Sequence, residues 1–316
     1  MFKSHQKKFV LSLMSIILIL FSTDAFAKKI KFVSVGWTGV TVKTELGVKV
    51  LKSLGYDAEN IMVSVPIAYK AMATGDADIF LGNWMPSMES IAGKYFKRGS
   101  VIKYVANMLG AQYTLAVPSY AFKGGLKDFS DIAKFGDKLD WKIYGIEEGN
   151  DGNKIIQDMI DKNMFNLGKF KLISSSEAGM LSQVKGYTTT GKWAVFLGWA
   201  PHYMNEIIDM KYLTGSTAET FGGNNGTAVV YTNIRKGFDK EEPNIATFLK
   251  NFKFSTKMMN QIMTNLHKDE NLKPVDAGLT WIKAHPAVYS KWLEGVKTVD
   301  GKSALATFRK YISSVK

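Results

Sequence analysis

The strongest constraint on the fold is a pair of similar segments that lie more than a hundred residues apart. Residues 80–86 have the sequence FLGNWMP and residues 196–202 have the sequence FLGWAPH. In each segment an apolar run typical of a buried strand ends at a Gly, and Trp84 or Trp199 follows shortly after. Each segment is then expected to continue as a helix from its Pro. One such Trp would most simply cover the edge of a core. Because open α/β sheets bind ligands beyond the carboxyl ends of their strands, two in matching contexts predict two similar lobes facing one cleft.

The first 27 residues have the pattern of a secretory signal peptide. Lys3, Lys7 and Lys8 form a basic start, residues 9–21 are apolar, and residues 25–27 (Ala-Phe-Ala) form a small-residue cleavage site. The apolar run is short for a membrane span, and no second span supports the alternative of an uncleaved anchor. The sequence has no Cys, which excludes disulfides, thiolate metal sites and a lipid anchor after the signal. We therefore expect residues 1–27 to be removed and the protein to be periplasmic.

The charge of the chain does not indicate a nucleic-acid partner. There are 41 Lys and Arg residues against 28 Asp and Glu, a net charge of +13. Without residues 1–27 the numbers are 38 and 27, a net charge of +11. The basic residues are scattered, with no run longer than a pair, which is typical of a solvated surface.

Strand and helix patterns alternate along the chain, which predicts a parallel α/β sheet. Strands are predicted at residues 30–35, 61–65, 77–81, 112–117, 142–146, 170–173, 193–197 and 227–232. Helices are predicted between them, for example at residues 42–54, and most of the chain after Pro243 is predicted to be helical. The sequence thus predicts two doubly wound lobes joined by a hinge of two chain crossings. Lobe 1 would comprise residues 28–111 and 214–316, and lobe 2 would be an insertion of residues 112–213.

Aromatic residues stand at several predicted strand ends and loops, namely Trp37, Trp84, Tyr113 and Trp199. Aromatic faces around a small cavity favour a quaternary ammonium ion, which they hold by cation–π attraction. At about 2 kcal/mol per desolvated ring, three or four rings supply much of the ~8 kcal/mol of a micromolar site. The polar loop at residues 149–153 precedes a predicted helix, whose N-terminus suits a carboxylate or hydroxyl. The simplest interpretation is a helix cap by Asn150 or Asp151, which is compatible with the binding role.

Catalytic signals are weak. His202, His267 and His285 share no metal-ligand spacing, and there is no nucleophile elbow, phosphate-binding loop or dinucleotide fingerprint. Asp76 and Asp78 are a possible carboxylate pair, but they lead into a strand and more simply cap its start. We expect a protein that is not an enzyme and holds no metal or cofactor.

Taken together, these segments resemble the periplasmic substrate-binding proteins of quaternary-amine (glycine betaine and choline) ABC importers, and the choline-binding branch in particular. The resemblance covers nearly the whole mature chain and rests on residues 36–38, 80–86, 111–117, 145–153, 198–202 and 281–285. It implies a bilobed type II periplasmic binding protein fold that docks on a permease in the inner membrane, and we expect a monomer. It also implies an aromatic box of Trp37, Trp84, Tyr113 and Trp199 around the trimethylammonium group, with Asn150 bonded to the ligand's polar end.

One residue departs from the choline-binding pattern. Where choline binders carry an Asp two residues after the first cage Trp, this chain has Gly39. Loss of that carboxylate would leave the backbone N–H groups of Gly39 and Val40 for an anionic ligand end, which predicts a preference for zwitterions. The alternative is that Gly39 only serves a turn with positive φ, while Glu147 or Glu148 supplies the negative charge.

The predicted ligands are glycine betaine first, then choline, trimethylamine N-oxide and dimethylsulfoniopropionate. An amino-acid-type binding protein of the same fold is a second hypothesis, but it would need an Arg–Asp pair and the cleft segments contain no Arg. A secreted hydrolase is a third hypothesis, which the missing nucleophile and base disfavour. The sequence does not separate a transport role from a chemoreceptor role.

Overall fold

A computed structural model describes residues 29–315, so the predicted signal peptide lies outside the described residues. The described chain forms one sheet with strand order β2-β1-β3-β9-β4-β7-β5-β6, and β8 pairs with β4. The strands are β1 (Ile30–Ser34), β2 (Ala58–Met62), β3 (Ile79–Met85), β4 (Val101–Pro118), β5 (Lys142–Tyr144), β6 (Lys171–Ile173), β7 (Val195–Ala200), β8 (Met210–Tyr212) and β9 (Thr227–Arg235).

Helices connect the strands and form most of the C-terminal part of the described chain. The α-helices are α1 (Thr38–Ser53), α2 (Val65–Thr74), α3 (Glu89–Lys97), α4 (Ser119–Lys123), α5 (Asp151–Asp161), α6 (Glu177–Thr190), α7 (Met204–Ile207), α8 (Gly223–Gly226), α9 (Phe238–Glu241), α10 (Pro243–Asn251), α11 (Thr256–Lys268), α12 (Pro274–Lys283), α13 (Pro286–Trp292) and α14 (Ala304–Ser314). Short 3-10 helices span Phe129–Phe135, Asp137–Leu139 and Met164–Asn166.

The sheet has two parallel parts joined by long antiparallel strands. Strands β2, β1 and β3 are parallel, as are β6, β5 and β7. Strand β4 pairs antiparallel with β9 along its first part and with β7 along its last part, so it passes through both halves. The predicted lobe boundary between residues 111 and 112 falls inside β4, beside the register shift between Met108 and Ala111. We retain the division into lobes at this point as a proposal.

Strand β4 is much longer than the sequence predicts. The sequence predicts a strand only at residues 112–117, whereas β4 begins at Val101. The first part of β4 alternates poorly, because Lys103 and Asn107 interrupt its apolar pattern and its register with β9 shifts. Pairing with β9, rather than local periodicity, therefore makes this part a strand.

The prediction that helices begin at the two prolines is wrong. The Met85–Pro86 and Ala200–Pro201 peptide bonds are cis, and α3 begins only at Glu89. The Met88 N–H donates to the Trp84 carbonyl at 2.9 Å, so a backbone turn separates β3 from α3. Trp84 and Trp199 lie in the last residues of β3 and β7 rather than beyond them, because they pair with Val230 and Tyr113.

Helix α1 positions one wall of the cleft, and it begins earlier than the sequence predicts. It starts at Thr38 instead of residue 42 and buries Val42, Leu46 and Val50 in the core. Gly39 therefore lies in the first helical turn with ordinary negative φ, because it is not among the glycines with positive φ. The alternative that Gly39 serves a turn with positive φ is wrong.

Candidate functional site

A cavity of about 540 Å³, including open space at its mouth, lies between the two halves of the sheet. It is lined by Trp37, Gly39, Val40, Lys43, Trp84, Met108, Tyr113, Ile146, Asp151, Trp199, Pro201, Met259 and Met263. The structure thus brings six of the seven predicted site residues together. The seventh, Asn150, is not among the lining residues.

Four aromatic rings form much of the cavity wall. Tyr113 stands between Trp84 and Trp199, with ring centroids 6.0 Å and 6.2 Å away and edge-to-face geometry. The register of β4 with β7 places Tyr113 directly opposite Trp199, as a cross-strand pair. Trp37 closes the wall from the start of α1. Trp37, Tyr113 and Trp199 are 9%, 6% and 7% exposed, so their faces are almost fully removed from water.

The hydroxyl of Tyr113 approaches the start of α5 very closely. A Cβ atom on Gly152 would lie only 2.0 Å from the Tyr113 hydroxyl oxygen, so glycine is required there. Burial, followed by the negative charges of Asp151 and Glu147, raises the pKa of Tyr113 well above its usual value. The phenol is therefore neutral and presents a polar group beside the aromatic faces.

Asp151 is a candidate ligand-binding residue that the sequence analysis did not select, although it follows Asn150 directly. It is 1% exposed and lines the cavity, and neither carboxylate oxygen has a hydrogen-bond partner in the structure. The Ser87 hydroxyl and the backbone N–H groups of Asp151 and Gly152 lie near enough to lower the pKa of Asp151, against the effect of burial, although the Ser87 hydroxyl donates to the Trp84 carbonyl at 3.1 Å. Burial raises the pKa of Asp151 to about 6, so most of the carboxylate is ionised at neutral pH. A buried carboxylate without a partner is costly, which indicates a site for a cation.

Asn150 is buried at the start of α5, directly before the cavity-lining Asp151. Its Oδ1 accepts the Asn153 N–H at 2.9 Å, so it caps α5, and its amide donates to the Glu147 carbonyl. Asn153 in turn bonds both the N–H and the carbonyl of Ile146. The structure therefore shows the helix cap, which is compatible with the expected binding role of Asn150, and the cap fixes the loop that carries Glu147.

Two carboxylates reach across the cleft to the start of α1. Glu147 Oε1 accepts the Trp37 indole N–H at 2.7 Å, over a sequence separation of 110 residues. Burial is the main reason that the pKa of Glu147 is raised. Glu177, at the start of α6, accepts the Thr38 hydroxyl and the Thr38 N–H, the latter at 3.2 Å. These bonds join the two halves of the molecule above the cavity.

The Glu177 carboxylate is held by a second partner within its own half. The His202 Nε2 lies 3.0 Å from Glu177 Oε1, and His202 Nδ1 accepts the Met204 N–H at 3.1 Å. Because Nδ1 is an acceptor, Nε2 carries the hydrogen and donates a hydrogen bond to Glu177. Both side chains are buried, and the bond from His202 orients Glu177 toward Thr38.

Lys43 contributes a positive charge to the cavity wall, and the sequence analysis did not select it. It lies four residues after Gly39 and thus on the same face of α1. Its ammonium group donates to the Leu81 carbonyl at 2.8 Å and to Asn107 Oδ1 at 3.1 Å. Burial lowers the pKa of Lys43 to about 7. The spacing of four residues from Gly39 could have indicated that Lys43 faces the cavity, but a lone Lys on a helix usually faces solvent.

The N-terminus of α1 offers two backbone donors to the cavity. The N-cap residue Trp37 provides no side-chain cap, and Thr38 donates its N–H to Glu177. No acceptor among the described residues takes the N–H groups of Gly39 and Val40, which line the cavity. Such orphan donors at a helix start attract negative charge.

Residues 29–315 contain neither a metal-ligand cluster nor a membrane-spanning helix. Within that range no group of three or more His, Asp or Glu side chains is arranged to hold a metal ion. No helix in the same range combines the length and apolar character needed to cross a membrane.

Comparisons with known proteins connect this geometry to one family. Residues 28–284 match the OpuAC family, the substrate binding domain of the ABC-type glycine betaine transport system. A solved ABC-transporter choline binding protein in complex with choline is 42% identical, and the match covers 91% of this chain and 99% of that one with a TM-score of 0.88. An ABC-transporter choline binding protein in an unliganded semi-closed conformation is 43% identical, with 90% and 98% covered and a TM-score of 0.81.

A structure with a different ligand also matches. Lactococcal OpuAC in its closed-liganded conformation with glycine betaine is 26% identical, with 84% of this chain and 99% of that one covered and a TM-score of 0.74. The predicted α/β fold, a bilobed type II periplasmic binding protein, is confirmed by these matches.

Proposed function

The chain belongs to the OpuAC family of substrate-binding domains of ABC-type glycine betaine transport systems, and from this premise we propose that it captures a small quaternary ammonium or methylated-amine osmolyte in an aromatic cage and delivers it to an ABC importer. Its relatives are transport substrate-binding proteins, and it is not an enzyme. We further propose that residues 1–27 are cleaved, that the mature protein works in the periplasm, and that its partner is an inner-membrane permease.

The observation that carries this proposal is the cavity wall itself. Four aromatic rings and the unpartnered carboxylate of Asp151 face one enclosed space. A quaternary ammonium ion cannot donate a strong hydrogen bond, so its binding site does not need hydrogen-bond acceptors around the cationic head. Aromatic faces at about 2 kcal/mol each, together with one buried counter-charge, match its diffuse positive charge.

Glycine betaine remains the first ligand that we propose within this class. The free N–H groups of Gly39 and Val40 suit its carboxylate, which is the role that the sequence suggested for them. Trimethylamine N-oxide and dimethylsulfoniopropionate follow as ligands with similar heads.

Choline is a second candidate that a specific observation favours. Asp151 and Glu147 place negative charge near the aromatic rings, although no carboxylate stands at position 39. The solved choline complex is also that of a protein 42% identical to this one. An amino-acid-type ligand is less well supported, since no Arg lines the cavity to bind an α-carboxylate.

The test is a thermal-shift screen followed by calorimetric titration. The screen should include glycine betaine, choline, carnitine, trimethylamine N-oxide, dimethylsulfoniopropionate and common amino acids, because a ligand of the folded state raises the melting temperature. Trp84→Ala should weaken binding of the best ligand by roughly 2–4 kcal/mol, through lost cation–π attraction and lost burial.

The matched control is Trp193→Ala. Trp193 is also half-buried, but it packs on Phe135 at 5.0 Å and does not line the cavity. Its replacement should leave affinity within about threefold of wild type, because surface changes away from a site have small effects. Equal affinities of the Trp84 variant and wild type would contradict the cage, and a response to amino acids alone would favour the other ligand class.

A further inference from the structure

Lys43 is a buried cation for which the described part of the protein supplies no anion. The residue is 2% exposed, and no carboxylate lies within 4 Å of its ammonium nitrogen. Two of its three N–H donors bind neutral oxygens, those of Leu81 and Asn107. The ring of Phe254 lies 5.7 Å from the nitrogen and offers weak cation–π attraction. The ammonium group is thus incompletely compensated.

The cavity holds one acidic and one basic side chain, and they have separate surroundings. Asp151 stands at the start of α5 beside Tyr113, while Lys43 stands on α1 beside β3 and β4. They do not form an ion pair with each other, since Asp151 has no partner in the described structure. A wall with opposite charges in separate places is complementary to a ligand that carries both charges itself.

We propose that Lys43 is a specificity-determining residue that selects zwitterionic methylated ammonium or sulfonium carboxylates by facing their anionic end, while Asp151 and the rings face the cationic head. This inference rests on the proposed function of the cavity and names the ligand class within it. A carboxylate would give the ammonium group its missing counter-charge and a third, charge-assisted hydrogen bond. Choline, which has a hydroxyl there, would supply no such counter-charge.

The groups packed around Lys43 make proton uptake a direct readout. The Leu81 carbonyl, the Asn107 amide and the Phe254 ring do not titrate, and the titratable groups on the cavity wall are Asp151 and Tyr113. Burial lowers the pKa of Lys43 to about 7, so most of it is neutral at pH 8. An anion bound beside it favours the protonated form, so binding a zwitterion at pH 8 should take up a proton. Asp151 is already ionised at this pH and contributes nothing.

The experiment is calorimetric titration at pH 8 in two buffers of different ionisation enthalpy. Glycine betaine and choline are the probes, and the proteins are wild type, Lys43→Met, Lys43→Gln and the control Lys49→Met, an exposed Lys on the same helix. Wild type should take up close to one proton with glycine betaine and almost none with choline. Lys43→Met should abolish the uptake and lower the affinity for glycine betaine relative to choline by roughly 10- to 100-fold, the range of a hydrogen bond to a charged group. Lys49→Met should behave as wild type.

Three outcomes would overturn the inference, and they separate it from the proposed function. If wild type binds neither ligand, the proposed function fails and this inference with it. If wild type binds both without proton uptake, and the Lys43 variants weaken both equally, Lys43 only ties α1 to β3 and β4 while the proposed function stands. If neither variant folds, the uptake of wild type with the two ligands decides: equal uptake overturns the inference, and uptake with glycine betaine alone supports it.

Discussion

Replacing Asp151 by Asn should stabilise the ligand-free protein and weaken its cation site at the same time. Neither oxygen of the buried carboxylate has a hydrogen-bond partner among residues 29–315, so the folded protein bears a cost that a bound cation would offset. Asn has nearly the same shape and no charge. The variant therefore separates the effect of the charge on the free energy of unfolding from its effect on ligand affinity.

The size of the stability effect follows from the pKa of Asp151. Burial raises that pKa from 3.8 to about 6, and one unit is worth about 1.4 kcal/mol, so the ionised form costs about 3 kcal/mol. Because the folded pKa is the higher one, the folded state holds the proton more tightly. This contribution therefore lowers the free energy of unfolding as pH rises from about 4 to about 6, and the cost is constant above that range. Asp151→Asn should gain up to about 3 kcal/mol at pH 7.5 and little at pH 4.

The effect on binding has the opposite sign. A carboxylate about 5 Å from a quaternary nitrogen contributes about 3 kcal/mol at an effective dielectric constant of 20. Asp151→Asn should therefore weaken choline binding by roughly 10- to 100-fold at pH 7.5. The affinity of wild type for choline should fall as pH drops through 6, while that of the variant should stay nearly constant.

Urea unfolding and calorimetric titration at pH 4.5 and 7.5 measure both effects. Asp158→Asn is the matched control, since Asp158 lies on the same helix with its side chain 41% exposed and paired with Lys154. Its replacement should change the free energy of unfolding by less than about 1 kcal/mol. If Asp151→Asn neither stabilises the free protein nor weakens choline binding, the carboxylate of Asp151 is hydrogen-bonded in the free protein and does not contact the bound cation.

Two further predictions concern α1 and the cleft. Gly39→Asp should shift the ratio of choline to glycine betaine affinity toward choline by about tenfold or more, because a Cβ at position 39 meets only Met263, at 3.5 Å, and the new charge would repel a carboxylate. Titration of both ligands against this variant and Gly39→Asn tests it, and an unmoved ratio would refute it. Thr38→Val removes the hydroxyl bond to Glu177 across the cleft and should lower affinity by roughly three- to tenfold. Small-angle scattering should show a smaller radius of gyration with ligand for wild type and a smaller contraction for the variant; identical contraction would show that this bond does not hold the cleft closed.

Local sequence patterns determined the architecture and the residue types of the cavity. Short apolar runs that alternate with helical stripes predicted the α/β fold, because burial on a sheet and on a helix face requires these periods. The aromatic residues at the ends of such runs, Trp84 and Trp199, do line the cavity, because strand ends from both halves of the sheet meet there. The extent of β4 was not predicted, because its pairing with β9 depends on residues over a hundred positions away.

Only the tertiary structure decided which polar groups face the cavity. Asn150 and Asp151 are neighbours at a helix start, yet the first caps the helix and the second lines the cavity without a partner among residues 29–315. The reason is that Asn150 is the extended N-cap residue, whose side chain turns back onto the first turn, whereas Asp151 is the first helical residue. Lys43 is buried because β3 and β4 supply oxygens for its ammonium group. The bond from Trp37 to Glu147 joins residues 110 positions apart. Charge, burial and orientation at such sites are set by long-range packing, which a local pattern does not contain.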